Sequence, residues 1–144
     1  MPPFSFQTAT LSHPGARADN EDVCGERASC WVVADGLGGH GGGEVAARVA
    51  VDTLLAGFDP TAPLSAESLM QALKTARQAI HARQAAEPRL ARMRTTVVML
   101  VSDGRDALWM HLGDSRLYGF REGRIIVQTA DHSVPQALVS AGEL

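Results

Sequence analysis

The chain has 144 residues, 45 % of them hydrophobic, which is enough for one domain with its own core. A formal net charge of -3 gives no electrostatic basis for nucleic acid or an anionic membrane as partner. No basic stretch leads into an apolar run at the N-terminus, and the longest apolar run, residues 97–101, is far too short to span a bilayer, so a cytoplasmic protein is expected.

Residues 4–12 alternate apolar and polar side chains and read as a strand, ended by His13-Pro14-Gly15. Residues 16–22 are polar, either a loop or a strand start. Cys24 and Cys30 form no CxxC pair and no histidine stands at zinc-ligand spacing, so both are expected as reduced thiols. A β-type run at residues 31–34 ends at Asp35. Seven of the fourteen glycines fall between Gly25 and Gly43, which marks a functional loop ahead of a helix.

That helix is expected over residues 44–58, with Ala47, Val51, Leu54, Leu55 and Phe58 on one face and Ala46, Val49 and Ala50 on a second. Gly57 and Pro60 end it. Ser65 is the expected N-cap of a second helix reaching Ala86, with Leu69, Leu73, Ala76 and Ile80 as its apolar stripe. Residues 95–101 read as a central strand, and residues 107–112, 116–120 and 124–128 as three more. Asp103-Gly104 is expected to be a simple turn and Glu122-Gly123 a hairpin. Ser133 would cap a third helix running to Ala141. Strands, then two helices, then a β-meander make an α+β chain. Its final residues read as leading onward, so the expectation is a single domain over residues 1–144 that is incomplete at the C-terminus.

Carboxylates stand at strand ends or in loops at Glu21-Asp22, Asp35 and Asp114. Hard divalent cations such as Mg²⁺ and Mn²⁺ take such oxygen ligands. Asp35-Gly36 offers a carboxylate and an unobstructed carbonyl, although an isolated Asp-Gly step is more often a turn. The glycine-rich loop lacks the Gly-Lys-Ser/Thr of a phosphate-binding P-loop, and Asp35 would repel a pyrophosphate.

Five motifs occur in order: Arg17-x-x-Asn20-Glu21-Asp22, Val33-Ala34-Asp35-Gly36-Leu37-Gly38-Gly39-His40, Arg94-Thr95-Thr96-Val97, Gly113-Asp114-Ser115-Arg116-Leu117-Tyr118 and Thr129-Ala130-Asp131-His132-Ser133. Together they resemble the bacterial form of the PP2C-type (PPM) metal-dependent serine/threonine protein phosphatases. The resemblance implies a β-sandwich flanked by an antiparallel helix pair, with the last core strands missing here. It implies a two-metal Mn²⁺ or Mg²⁺ centre whose bridging water attacks phosphorus. Asp35 matches the carboxylate that bridges the metals, and Gly36 the residue whose carbonyl binds one of them. Glu21 and Asp22 match acidic residues that bind a metal directly or through water, Arg17 the arginine that holds the substrate phosphate, and Asp114 an aspartate of a third, weaker metal.

Read locally, Arg17 would be a surface arginine paired with Asp19. Leu37 stands where some relatives carry a general-acid histidine, so no protein acid is assigned. His40 and His132 are expected to fix loops, and His81 and His111 to be ordinary surface or strand histidines. Two later aspartate motifs of the family, an Asp-Gly strand end and an Asp-Asn pair, do not follow Ser133. The implied function is hydrolysis of phosphoserine and phosphothreonine in phosphorylated proteins, opposite a cognate serine/threonine kinase, by a monomer. The alternative is a catalytically incomplete module that binds or regulates.

Overall fold

The computed structural model describes residues 4–39 and 41–142. The expectation for His40 lies outside the described residues. Strands β1 (Asp22–Arg27) and β2 (Cys30–Leu37) form a tight antiparallel hairpin across Ala28-Ser29, with Ala28 left-handed at φ 52°. Helices α1 (Gly42–Gly57) and α2 (Ala66–Ala86) follow, then a 3-10 turn at Pro88–Leu90. Strands β3 (Arg94–Thr95), β4 (Val97–Ser102) and β5 (Ala107–Leu112) lead to the ribbon β6 (Tyr118–Arg121) and β7 (Arg124–Gln128), and α3 (Val134–Ala141) comes last.

The main sheet is antiparallel in the order β1-β2-β4-β5, with short β3 on the far end of β2. Helix α1 lies on one face of it. Ala46, Ala47, Ala50, Val51 and Leu54 are buried from the helix side, and Val23, Cys30, Val32, Ala34, Met99 and Val101 from the sheet side. The expected apolar faces of α1 are therefore the faces that pack. Helix α2 contributes Leu69 and Ala76, and Ser65 caps it by accepting the Ser68 amide at 3.1 Å. Ser133 caps α3 in the same way through Gln136. Glu122 and Gly123 both adopt positive φ at the β6–β7 turn, as a two-residue hairpin requires. Asp103 accepts the amides of Arg105 and Asp106, which makes its Asp-Gly step the expected turn.

Four expectations need correction. Residues 4–12 form no strand. Side-chain docking holds them instead, with Phe6 edge-on to Trp31 at 4.9 Å and the Trp31 indole N–H donating to Thr8 Oγ1 at 3.0 Å. Strand β2 does not end at Asp35 but runs through Gly36 to Leu37, where β3 pairs with it. The strand expected at residues 95–101 breaks at Thr96, whose amide leaves the ladder to bond the Asp35 carbonyl at 2.9 Å. The strand expected from Arg116 begins at Tyr118, because Arg116 is taken up by Asp131.

The helix layer covers one face of the sheet. Among the described residues, the only strands outside this sheet are those of the β6–β7 ribbon, on which Phe120, Ile125 and Ile126 are exposed. Between the sheet face turned away from α1, at Trp31, Val33, Val98 and Leu100, and the segment Ser115–Leu117 lies an apolar cleft of about 410 Å³. No helix among the described residues is long and apolar enough to cross a membrane.

Candidate metal and phosphate site

The β1–β2 register places Asp22 directly opposite Asp35. Directly opposed residues on paired strands project to the same side of the sheet, so the two carboxyls face one way. Partial desolvation at the strand end pushes the Asp35 carboxyl above its usual range, and the charges of Asp22 and Asp114 push it further, while Arg17 pulls the other way. Like charges directly opposite on neighbouring strands destabilise a sheet. This pair is therefore an arrangement that a cation would relieve.

The backbone of Asp35 is held on both sides. Its amide donates to Thr96 Oγ1 at 3.0 Å, and its carbonyl accepts from the Thr96 amide at 2.9 Å and from Thr95 Oγ1 at 3.0 Å. Asn20 sets the start of β1, accepting the Asp22 amide at 3.0 Å and donating to Ser12 Oγ at 2.7 Å. The spacing of Arg94-Thr95-Thr96-Val97 marked these threonines as a motif, but nothing local in the sequence showed that they clamp Asp35.

Gly36 and Glu21 serve the packing of α1. A Cβ on Gly36 would run onto the carbonyl of Gly43 and come within 2.8 Å of the Glu21 carbonyl. Gly36 is therefore glycine because the start of α1 crosses it, which supplements the expected carbonyl approach. The Gly36 amide donates to the Glu21 carbonyl at 3.2 Å. The Glu21 carboxylate accepts the Gly43 amide at 3.2 Å, so it caps α1, whose own N-cap residue Gly41 has no side chain to do so. Glu21 Oε1 thus faces the helix end. Among the described residues, no three Asp, Glu, His or Cys side chains converge into a metal cage.

Arg17 follows a turn in which its amide bonds the Pro14 carbonyl at 3.1 Å. It lines an open cleft of about 540 Å³ with Asn20, Glu21, Gly38 and Glu44. No ion pair joins it to Asp19. Asp114 is exposed on the turn after β5, close enough for its charge to act on Asp35. His132 fixes that turn as expected, donating its amide to the Gly113 carbonyl at 2.9 Å and accepting the Gly113 amide on Nδ1 at 3.3 Å. His111 stacks on His132 at 4.4 Å and its Nε2 lies 2.9 Å from the Ala130 carbonyl. The Cys30 thiol is pushed up to about 11 by burial, which makes it an inert core group.

Carboxylates directly opposed on paired strands, within reach of a guanidinium charge, suit a divalent cation and a phosphate. Comparison with known proteins agrees. The profile of the protein phosphatase 2C family matches residues 11–137, and the chain belongs to that family. It is 36 % identical over 130 residues to the serine/threonine protein phosphatase PstP of Mycobacterium tuberculosis, covering 89 % of this chain and 25 % of PstP. It is 32 % identical over 118 residues to a Listeria monocytogenes serine/threonine phosphatase, covering 78 % of this chain and 47 % of that protein. The crystal structure of M. tuberculosis PstP superposes with a TM-score of 0.81 at 35 % identity, over 90 % of this chain and 55 % of that one. A PstP catalytic domain in complex with two manganese ions gives a TM-score of 0.80 at 36 % identity, over 90 % and 56 %. The chain therefore spans a quarter to about half the length of these relatives.

Proposed function

We propose that this chain is part of a metal-dependent phosphatase that hydrolyses phosphoserine and phosphothreonine in proteins. The observation that carries the reading is the Asp22–Asp35 carboxyl pair, within reach of the charge of Arg17 and fixed to the backbone clamp of Thr95 and Thr96. The donor chemistry fits a hard cation: Asp35, Asp22 and the Gly36 carbonyl would hold Mn²⁺ or Mg²⁺, with Asp114 on the adjoining turn toward a third. When bound, such cations supply charge neutralisation and the acidification of a water. The chain's own residues supply the rest. Asp35 and Asp22 hold the acidic centre in one register, and Arg17 grips a phosphate through parallel N–H bonds that a lysine cannot make. Glu21 would serve the centre directly or through a water, while its Oε1 caps α1.

The substrates would be phosphorylated proteins and the opposing enzyme a serine/threonine kinase. We place the protein in the cytoplasm, a reading supported by the free thiols Cys24 and Cys30, and take it to act as a monomer. Chelator-sensitive hydrolysis of a phosphothreonine peptide by the full-length protein tests the activity. Undiminished turnover in Asp35→Asn would overturn it.

A second reading is a binding or regulatory module without catalysis. Calorimetric titration of the 144-residue chain with Mn²⁺ separates the two. Two tight sites exclude the inert module, and none supports it.

A further inference from the structure

Asp35 lies on β2 and Asp114 on the turn that follows β5, and these strands are not neighbours, since β4 runs between them. One side chain joins them. Thr96, at the break between β3 and β4, accepts the Asp35 amide on Oγ1 at 3.0 Å, and the same oxygen lies 2.6 Å from Ser115 Oγ. Its methyl covers Gly113, where a Cβ would come within 2.7 Å of Thr96 Cγ2. Gly113 also has a φ of +102°, so only glycine fits beneath that methyl. Thr96 thus touches both neighbours of Asp114, by hydroxyl on one side and by methyl on the other, while it holds the amide of Asp35.

Thr95 cannot substitute, because its hydroxyl is bonded to the carbonyls of Asp35 and Thr96. Valine would keep the methyl and lose the hydroxyl, and serine would do the reverse. A β-branched side chain is stiff at χ1, so it acts as a spacer of fixed length.

We propose that Thr96 is a positioning residue that sets the separation of the Asp35 and Asp114 carboxylates. Its consequence for metal binding rests on the reading of those carboxylates given above, whereas the spacing itself does not.

The test combines amide hydrogen exchange with Mn²⁺ titration on the full chain. In Thr96→Val the Asp35 amide should exchange about fivefold faster or more, for loss of one hydrogen bond, while the Gly113 amide keeps its protection. In Thr96→Ser the pattern should reverse, with Asp35 protected and Gly113 faster. Ser115→Ala, which alters a partly exposed turn, should affect the Asp35 amide in the same direction as Thr96→Val but less. Mn²⁺ affinity should fall about fivefold or more in both Thr96 variants. Asp35 exchange within about twofold of the parent in Thr96→Val, or equal loosening of all β4 amides in both variants, would overturn the proposal. Parental Mn²⁺ affinity in both variants would overturn it as well. A parent chain that binds no Mn²⁺ would sink the functional reading of the carboxylates, and the crossed exchange pattern would still decide the role of Thr96.

Discussion

Replacing Gly36 with alanine should separate the start of α1 from the end of β2. The new methyl group would meet backbone on two sides, the Gly43 carbonyl and the Glu21 carbonyl at 2.8 Å. Neither atom can swing aside as a side-chain tip would. Overpacking of this kind costs about 1–3 kcal/mol. Separation also removes the Gly36–Glu21 and Gly43–Glu21 hydrogen bonds, about 1 kcal/mol each. The expected total is about 3–5 kcal/mol. With a slope of about 2 kcal/mol per molar urea for a domain this size, the unfolding midpoint followed by far-UV circular dichroism should fall by about 1.5–2.5 M. Gly57→Ala is the control. A Cβ there meets nothing, and the helix end should gain up to about 0.5 kcal/mol. A Gly36→Ala midpoint within about 0.3 M of the parent, at unchanged slope, would refute the claim that this crossing requires glycine.

Asp35→Asn should abolish the rise in melting temperature that Mn²⁺ gives the parent, yet melt no lower than the metal-free parent, since it relieves repulsion with Asp22; differential scanning fluorimetry with and without Mn²⁺ reads both. The Asp131 carboxyl is held below its usual range by its paired hydrogen bonds with Arg116, so its contribution is present above the unfolded value near 4 and lost as pH falls through the lower folded value. Asp131→Asn should therefore melt below the parent at pH 7, with the gap narrowing as pH falls below the unfolded value near 4. Arg17→Lys should cut kcat/KM on a phosphothreonine peptide by about 10- to 100-fold, the range for one lost charge-assisted hydrogen bond, measured in the full-length enzyme. Leu54→Ala, at a fully buried position between α1 and the sheet, should cost about 2–5 kcal/mol in the urea assay.

The helices were legible because their signals are local. The stripes of α1 and α2, the caps Ser65 and Ser133, and the Glu122-Gly123 turn each depend on residues within a few positions of one another. Strand β1 gave no such signal, because Gly25 interrupts it. That glycine answers to α1, since a Cβ there would come within 2.8 Å of Leu55 Cδ1. Residues 4–12 carry a strand-like alternation, but the aromatic contact to Trp31 governs them. At the site, the positions of Asp22, Asp35, Arg17 and Asp114 were named from their motifs. Their juxtaposition was not readable, because it follows from strand register and from a bond between Asp35 and Thr96. The role of Glu21 as cap of α1 was hidden for the same reason, as its partner Gly43 lies 22 residues away.

The clamp on Asp35 spans 61 residues of chain, with both helices inside the loop it closes. Closing a loop of that length costs about 4 kcal/mol of chain entropy beyond a constant term. No peptide that stops before Thr96 can hold the acidic centre. During synthesis, at roughly 5–20 residues per second, the helical hairpin emerges seconds before β4 can complete the sheet. For that interval the nascent chain carries two mutually repelling carboxylates with no strand to secure them, so acquiring the centre is one of the last events in folding this segment.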